Sequence, residues 1–266
     1  MVAFRSFTPC NRMRSRGRHG IRGTIPVPPR QDITVKARAQ RLGEVDHNTG
    51  LAGHDIIVVG ASAGGSLALV QLAKQLPQDL HASVFVVYHM PPDARGSLVQ
   101  ALQSATTIRT KIAEDLEEIK HGVVYVAPPD RHLLVKRGHI RVIRGPRKNR
   151  WRPAIDPLFV SAAVAYGSRV IGVVLTGMLN DGTAGLLAVK KCGGIAMIQD
   201  PLDAAHPEMP QSAWAKVDID HRLPLSEMGA VIVRLVSEAA GVSPRVPREF
   251  KEEARFVEES PDNGTL

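Results

Sequence analysis

Cysteine is almost missing from this sequence. Cys10 and Cys192 are the only two in 266 residues, and no CxxC pair occurs. A disulfide framework and a thiolate zinc site are excluded, no metal is expected, and a reducing cytoplasmic setting is the expectation. Aromatic residues make up 4% of the chain, too few for the stacked platforms that bind single strands. No run approaches the roughly 18 consecutive apolar residues of a membrane span. The basic N-terminal stretch also lacks the apolar core of a secretory signal.

The charge is present but unevenly placed. The formal net charge is +8. Residues 1–54 hold ten Lys and Arg against three acids, a net of +7, which leaves +1 for residues 55–266. The basic character is therefore a property of the extension. That extension shows no hydrophobic periodicity, and Pro26, Pro28 and Pro29 suit an extended linker. The expected organisation is a basic, disordered extension over 1–54, a folded domain over 55–240 and a charged flexible tail over 241–266. No nucleic acid is expected to bind the folded part.

Within that part, apolar runs alternate with helical spacing. Asp55–Gly60, Ser83–His89, Val170–Leu175 and Ile195–Ile198 read as strands buried on both faces. Helices are expected over 66–76, 97–102, 157–166, 183–191, 209–215 and 226–239, several bounded by Pro or Gly. Short strands at 123–127, 133–135 and 140–143, separated by Pro128-Pro129 and Gly138, read as a β-hairpin-like insertion. The predicted fold class is α/β: a doubly wound, mostly parallel sheet flanked by helices, with that small insertion.

In such sheets ligands bind beyond the carboxyl ends of the strands. The first strand delivers Gly60-Ala-Ser62-Ala63-Gly64-Gly65, the second His89, and the third Thr176-Gly177-Met178-Leu179-Asn180-Asp181. A serine, a histidine and an aspartate thus follow three buried strands. A serine hydroxyl is a weak nucleophile until a neutral imidazole takes its proton, and a carboxylate on the other ring nitrogen fixes the tautomer. N–H groups of Ala63 and Gly64 at the helix start, or of the Gly177-Met178 turn, are candidate oxyanion or substrate donors. The plainer readings make Ser62 and Asp181 ordinary helix caps and His89 structural. The spacing GxxxGG is neither GxGxxG nor GxxxxGK[ST], which counts against a nucleotide loop.

At these motifs the chain resembles the catalytic domain of the CheB family, the chemotaxis protein-glutamate methylesterases. The motifs are GASAGG (60–65), HMPP (89–92), AED (113–115), YVAPPDRH (125–132), NRWRPAIDPLF (149–159) and LTGMLNDGTAGL (175–186). The resemblance implies hydrolysis of glutamyl γ-methyl esters on chemoreceptor helices, with deamidation of receptor glutamines as a second activity. It also implies Ser62 as nucleophile, His89 as base, Asp181 as its orienting partner, Met178 near the oxyanion, and no cofactor. The expected partners are methylated chemoreceptor cytoplasmic helices, with a separate regulatory protein as an option, since a basic stretch of 54 residues cannot build a receiver domain. Ala63, Leu179, Pro129 and Trp151 depart from the residues common in two-domain members. Ala63 and Pro129 look more like the single-domain branch of the family, while Ala63 and Leu179 chiefly keep open the alternative of a catalytically weak or inactive signalling module. The basic loop Arg147, Lys148, Arg150 and Arg152 is a candidate dock for acidic receptor helices. His121, His132 and His139 have no metal-ligand spacing and are expected to be surface or structural.

Overall fold

The computed structural model describes residues 53–92 and 97–260. The expected 1–54 extension lies outside these residues except for Gly53, which bridges Ala239, and His54, which is buried. Seven parallel strands form one sheet in the order β3-β4-β2-β1-β7-β8-β9. They are β1 (Ile56–Ala61), β2 (Ser83–Tyr88), β3 (Arg109–Ile112), β4 (Val123–Val126), β7 (Val170–Val174), β8 (Ile195–Gln199) and β9 (His221–Leu223). Between β4 and β7, strands β5 (His132–Lys136) and β6 (His139–Ile143) form a separate antiparallel hairpin.

The central strands are buried on both faces, so each alternates between two cores. Ile56, Val58, Phe85 and Val87 face one core, built with α3 (Ile155–Tyr166), α4 (Thr183–Lys191), α5 (Glu208–Lys216) and the hairpin. Ile57, Val59, Val84 and Val86 face the other, built with α1 (Gly65–Ala73), α2 (Ser97–Ala105) and α6 (Leu225–Val236). From β1 the chain moves to β2, on to β3 at the edge and back to β4 between β2 and β3, then crosses to place β7 on the other side of β1. The strand order therefore reverses at β1, and a crevice is expected beyond the carboxyl ends of β1, β2 and β7.

Several elements differ from expectation. β4 belongs to the main sheet rather than to the insertion, because its four residues are all buried. β3 and β9 are edge strands with too few apolar residues to announce themselves. The stretch expected as a flexible tail carries a twelve-residue helix, α7 (Arg248–Glu259). Its apolar residues Phe250, Ala254 and Val257 recur at helical spacing, hidden in sequence by surrounding charge; Phe250 and Ala254 pack on the α3 core and Val257 is buried. Among the described residues, no helix is long and apolar enough to cross a membrane.

One close approach sets the position of α3 against the sheet. A Cβ at Gly60 would fall 2.4 Å from Ile155 Cγ2. Gly60→Ala is expected to destabilise the fold by about 1–3 kcal/mol through overpacking. Urea unfolding checks this as a lower midpoint at unchanged slope.

Candidate active site

The turn after β1 brings Ser62 back toward β7. The Ser62 N–H donates to the Thr176 carbonyl at 3.0 Å, and the Gly65 N–H closes the turn onto the Ser62 carbonyl at 2.8 Å. Gly64 caps α1 with φ of 73°, in the left-handed region that favours glycine, and no side chain caps that helix. The α4 cap is likewise Gly182, without a side-chain bond. Ser62 and Asp181 are therefore free of the capping roles that the plainer readings gave them.

Instead they meet His89. The Ser62 hydroxyl lies 3.0 Å from His89 Nδ1, and His89 Nε2 lies 2.7 Å from Asp181 Oδ2. Ser62 is 9% exposed, His89 6% and Asp181 2%. An ionised carboxylate only accepts, so Nε2 carries the ring proton and Nδ1 is left to accept from the hydroxyl. The His89 N–H is anchored to the Ala61 carbonyl at 3.2 Å. One face of its ring is covered by Trp151, with centroids 4.5 Å apart and planes at 9°.

Asp181 is held by five donors. Beside His89, its oxygens accept from the N–H groups of Ile155 (2.7 Å), Asp156 (3.2 Å) and Gly182 (3.0 Å), and from the Asn149 amide (2.7 Å). Two of these N–H groups belong to the first turn of α3, where the helix dipole favours an anion. Burial pushes the Asp181 carboxyl up, but the His89 bond and charge, the Ile155 N–H and the Asn149 amide outweigh it and hold it below its ordinary value. Its neighbour Asp156 behaves oppositely. Burial and the Asp181 charge raise the Asp156 carboxyl to about 7, although the Gly185 N–H and the same Asn149 amide oppose the rise. The Asn149 amide nitrogen thus bridges two buried carboxylates, at 2.8 and 2.7 Å.

The four candidate donors separate. The Gly177 N–H is occupied by the His206 carbonyl at 2.9 Å, so Gly177 is not an available oxyanion donor. Its lack of a side chain is what matters: a Cβ there would fall 2.1 Å from Met209 Sδ and 2.9 Å from Ser62 Cβ. Gly64 shapes the turn. For the N–H groups of Ala63, Gly64 and Met178 the structure gives no acceptor among the described residues. A cavity of about 270 Å³ opens beside Asp181, lined by Asn149, Arg150, Trp151, Met178, Leu179 and Asn180.

The basic loop is not uniform. Arg152 is 5% exposed, pairs with Asp130 at 2.7 Å and donates to the Gly145 carbonyl at 2.7 Å, so it is structural. Lys148 pairs with Glu253. Arg147 and Arg150 are exposed. His132 is buried and holds the same loop, donating from Nε2 to the Pro146 carbonyl at 2.9 Å and accepting the Ala154 N–H at Nδ1. His121 and His139 are a surface histidine beside Asp55 and a partly exposed one that opens β6. Sequence reasoning gave no role to Asn149 or Asp156, although both lie in the motif at 149–159. Their signal was an amide and a carboxylate seven residues apart, one before and one inside a helix start.

A family model described as CheB methylesterase matches residues 57–232. A putative protein-glutamate methylesterase/protein-glutamine glutaminase of Leptospira interrogans is 39% identical, over 68% of this chain and 95% of that protein. A protein-glutamate methylesterase/protein-glutamine glutaminase of Pyrococcus abyssi is 36% identical, over 70% of this chain and 51% of that protein. The chain therefore spans nearly all of the first relative and about half the length of the second. The crystal structure of the Thermotoga maritima CheB methylesterase catalytic domain superposes with a TM-score of 0.66 at 36% identity, covering 68% of this chain and 98% of that one.

The carboxylate pair makes a pH prediction. The folded Asp156 carboxyl binds its proton more tightly than the ordinary group with a value of 3.8. The stability this confers is full below that value and is lost as pH rises through about 7. Asp156→Asn is expected to flatten the fall in melting temperature between about pH 4 and 8. Thermal unfolding across that range checks it; an unchanged slope counts against the raised carboxyl.

Proposed function

We propose, from the premise that this chain belongs to the CheB methylesterase family, that it is a serine hydrolase of protein glutamyl γ-methyl esters. Glutamine side chains, which present the same acyl group with ammonia as leaving group, are the second substrate class, in line with the double name of the relatives. The single observation that carries this reading is the unbroken hydrogen-bond chain from the Ser62 hydroxyl through His89 to Asp181.

The chemistry follows from those contacts. His89 Nδ1 takes the Ser62 proton as Oγ bonds to the ester carbonyl carbon. The imidazolium is stabilised at Nε2 by Asp181, whose five donors keep it ionised, and the Trp151 face favours the cation. The developing oxyanion accepts from the Met178 N–H and from the Ala63 N–H beside the nucleophile. Collapse breaks the bond to the methoxy oxygen, which leaves as methanol with the proton from Nδ1. Water, deprotonated by the same nitrogen, then attacks the acyl-enzyme, and Ser62 regains its proton as the glutamate carboxylate is released. Gly177 matters because only hydrogen fits between Ser62 and Met209.

The substrate side fits a protein rather than a free amino acid. The cavity is open, and Met178 and Leu179 on its rim are 49% and 53% exposed. Arg147 and Arg150 supply positive charge beside it. Methylated chemoreceptor helices, which carry the glutamyl sites, are the proposed partners, and the cytoplasm the proposed location.

Methanol release from a methylated receptor cytoplasmic fragment tests the reading. Ser62→Ala is expected to abolish turnover, and Asp181→Asn to lower kcat by about 10⁴ with the fold intact. Full turnover by Ser62→Ala contradicts it. Arg147→Glu with Arg150→Glu is expected to raise KM with kcat nearly unchanged; an unchanged KM removes these two residues from the docking surface.

A further inference from the structure

Helix α7 lies beyond residues 57–232, the stretch matched by the family model. It is firmly seated. Val257 is 1% exposed, Phe250 and Ala254 pack on the same core, and Glu258 pairs with Lys136 and, at 2.9 Å, with Arg141 of the hairpin. The approach is close enough that a Cβ on Gly145 would stand 2.9 Å from the Val257 carbonyl oxygen.

One edge of the helix, bearing Glu253 and the half-exposed Phe256, reaches the turn that touches the candidate active site. Lys148 Nζ lies 3.7 Å from Glu253 Oε1 and 5.5 Å from the centre of the Phe256 ring. Lys148 opens a four-residue turn closed at both ends. Its N–H donates to the Trp151 carbonyl at 3.1 Å and its carbonyl accepts from the Trp151 N–H at 2.8 Å. The two central residues, Asn149 and Arg150, have φ of 51° and 72°. Positive φ at both central positions is the type I′ geometry, in which glycine is favoured at the second position, and here an arginine stands there. A turn of that kind persists only where its surroundings over-determine it. The segment entering the turn is fixed by His132 and Arg152, through the Pro146 and Gly145 carbonyls. Its leading residue is held by α7. From the same turn Asn149 reaches Asp156 and Asp181, and Trp151 covers His89.

We propose that α7 is a buttress of the active site, and that Lys148, clamped by Glu253 and Phe256, is a positioning residue. It keeps the 148–151 turn in the register that lets Asn149 orient Asp181 and Trp151 cover the imidazole. Catalytic output in this chain therefore depends on a helix that never approaches the reacting atoms. The activity readout rests on the hydrolase reading above; the second readout below does not.

The full-length chain with Lys148→Glu places two like charges face to face. It is expected to lower kcat about 3- to 10-fold with KM within about twofold, and to speed tryptic cleavage between Arg150 and Trp151. The swap Lys148→Glu with Glu253→Lys restores the attraction and is expected to return both values to within about twofold of wild type. Phe256→Ala leaves the charges in place and is expected to shift both in the same direction as Lys148→Glu, so a poorly folding reversal variant does not block the test. Unchanged kcat and unchanged cleavage in Lys148→Glu and Phe256→Ala would overturn the proposal. So would a loss that the swap does not repair, or an effect confined to KM, which would make Lys148 a docking cation. If the wild type releases no methanol, the hydrolase reading fails by itself, and the rate of cleavage at Arg150 still decides whether α7 holds the turn.

Discussion

A carboxylate that is 2% exposed must be compensated where it sits, and most of this site is arranged around that requirement. Asp181 takes hydrogen bonds from the end of β2, from the 148–151 turn, from the first turn of α3 and from its own following residue. Removing an ionised oxygen from water with fewer partners would protonate it instead, and the imidazole would lose its fixed tautomer. The five donors thus do two things at once. They keep the charge that His89 needs, and they tie together segments far apart in the sequence.

The sheet explains how those segments come to one place. Strand order reverses at β1, so the loops after β1, β2 and β7 open into the same crevice. The loop after β1 bends sharply at Gly64, which aims the Ser62 hydroxyl at the ring. The loop after β7 passes Gly177, where the absent side chain leaves room for Ser62, and continues to Asp181. Asp156 stands behind Asp181 with its carboxyl raised to about 7, so the two buried groups do not both carry full charge at neutral pH.

How much of this was legible depended on the kind of signal. The buried strands announced themselves as runs such as Ile56–Val59, because both faces are covered, and the residues following them exposed Ser62, His89 and Asp181. Their mutual contact was an inference from sheet topology, and the geometry of the ring, Nδ1 toward Ser62 and Nε2 toward Asp181, had no sequence signature at all. Gly177 looked like an oxyanion donor because turn glycines often are; its N–H is taken by the His206 carbonyl, a partner 29 residues away that no local pattern reveals. Trp151 read as a departure at the rim, and only coordinates show its face on the imidazole. The α7 stripe Phe250, Ala254 and Val257 was masked by eight charged neighbours in the same twelve residues. Edge strands β3 and β9 were unreadable because they bury little and need little apolar sequence.

The central claim is that His89, oriented by Asp181, makes the Ser62 hydroxyl reactive. Treatment with a fluorophosphonate, followed by peptide mass spectrometry, tests it without knowledge of the natural substrate. Stoichiometric phosphonylation at Ser62 in the wild type, lost in His89→Ala and strongly slowed in Asp181→Asn, is the expected result. A hydroxyl that stays unmodified in the wild type, or that reacts equally fast in all three proteins, contradicts the claim.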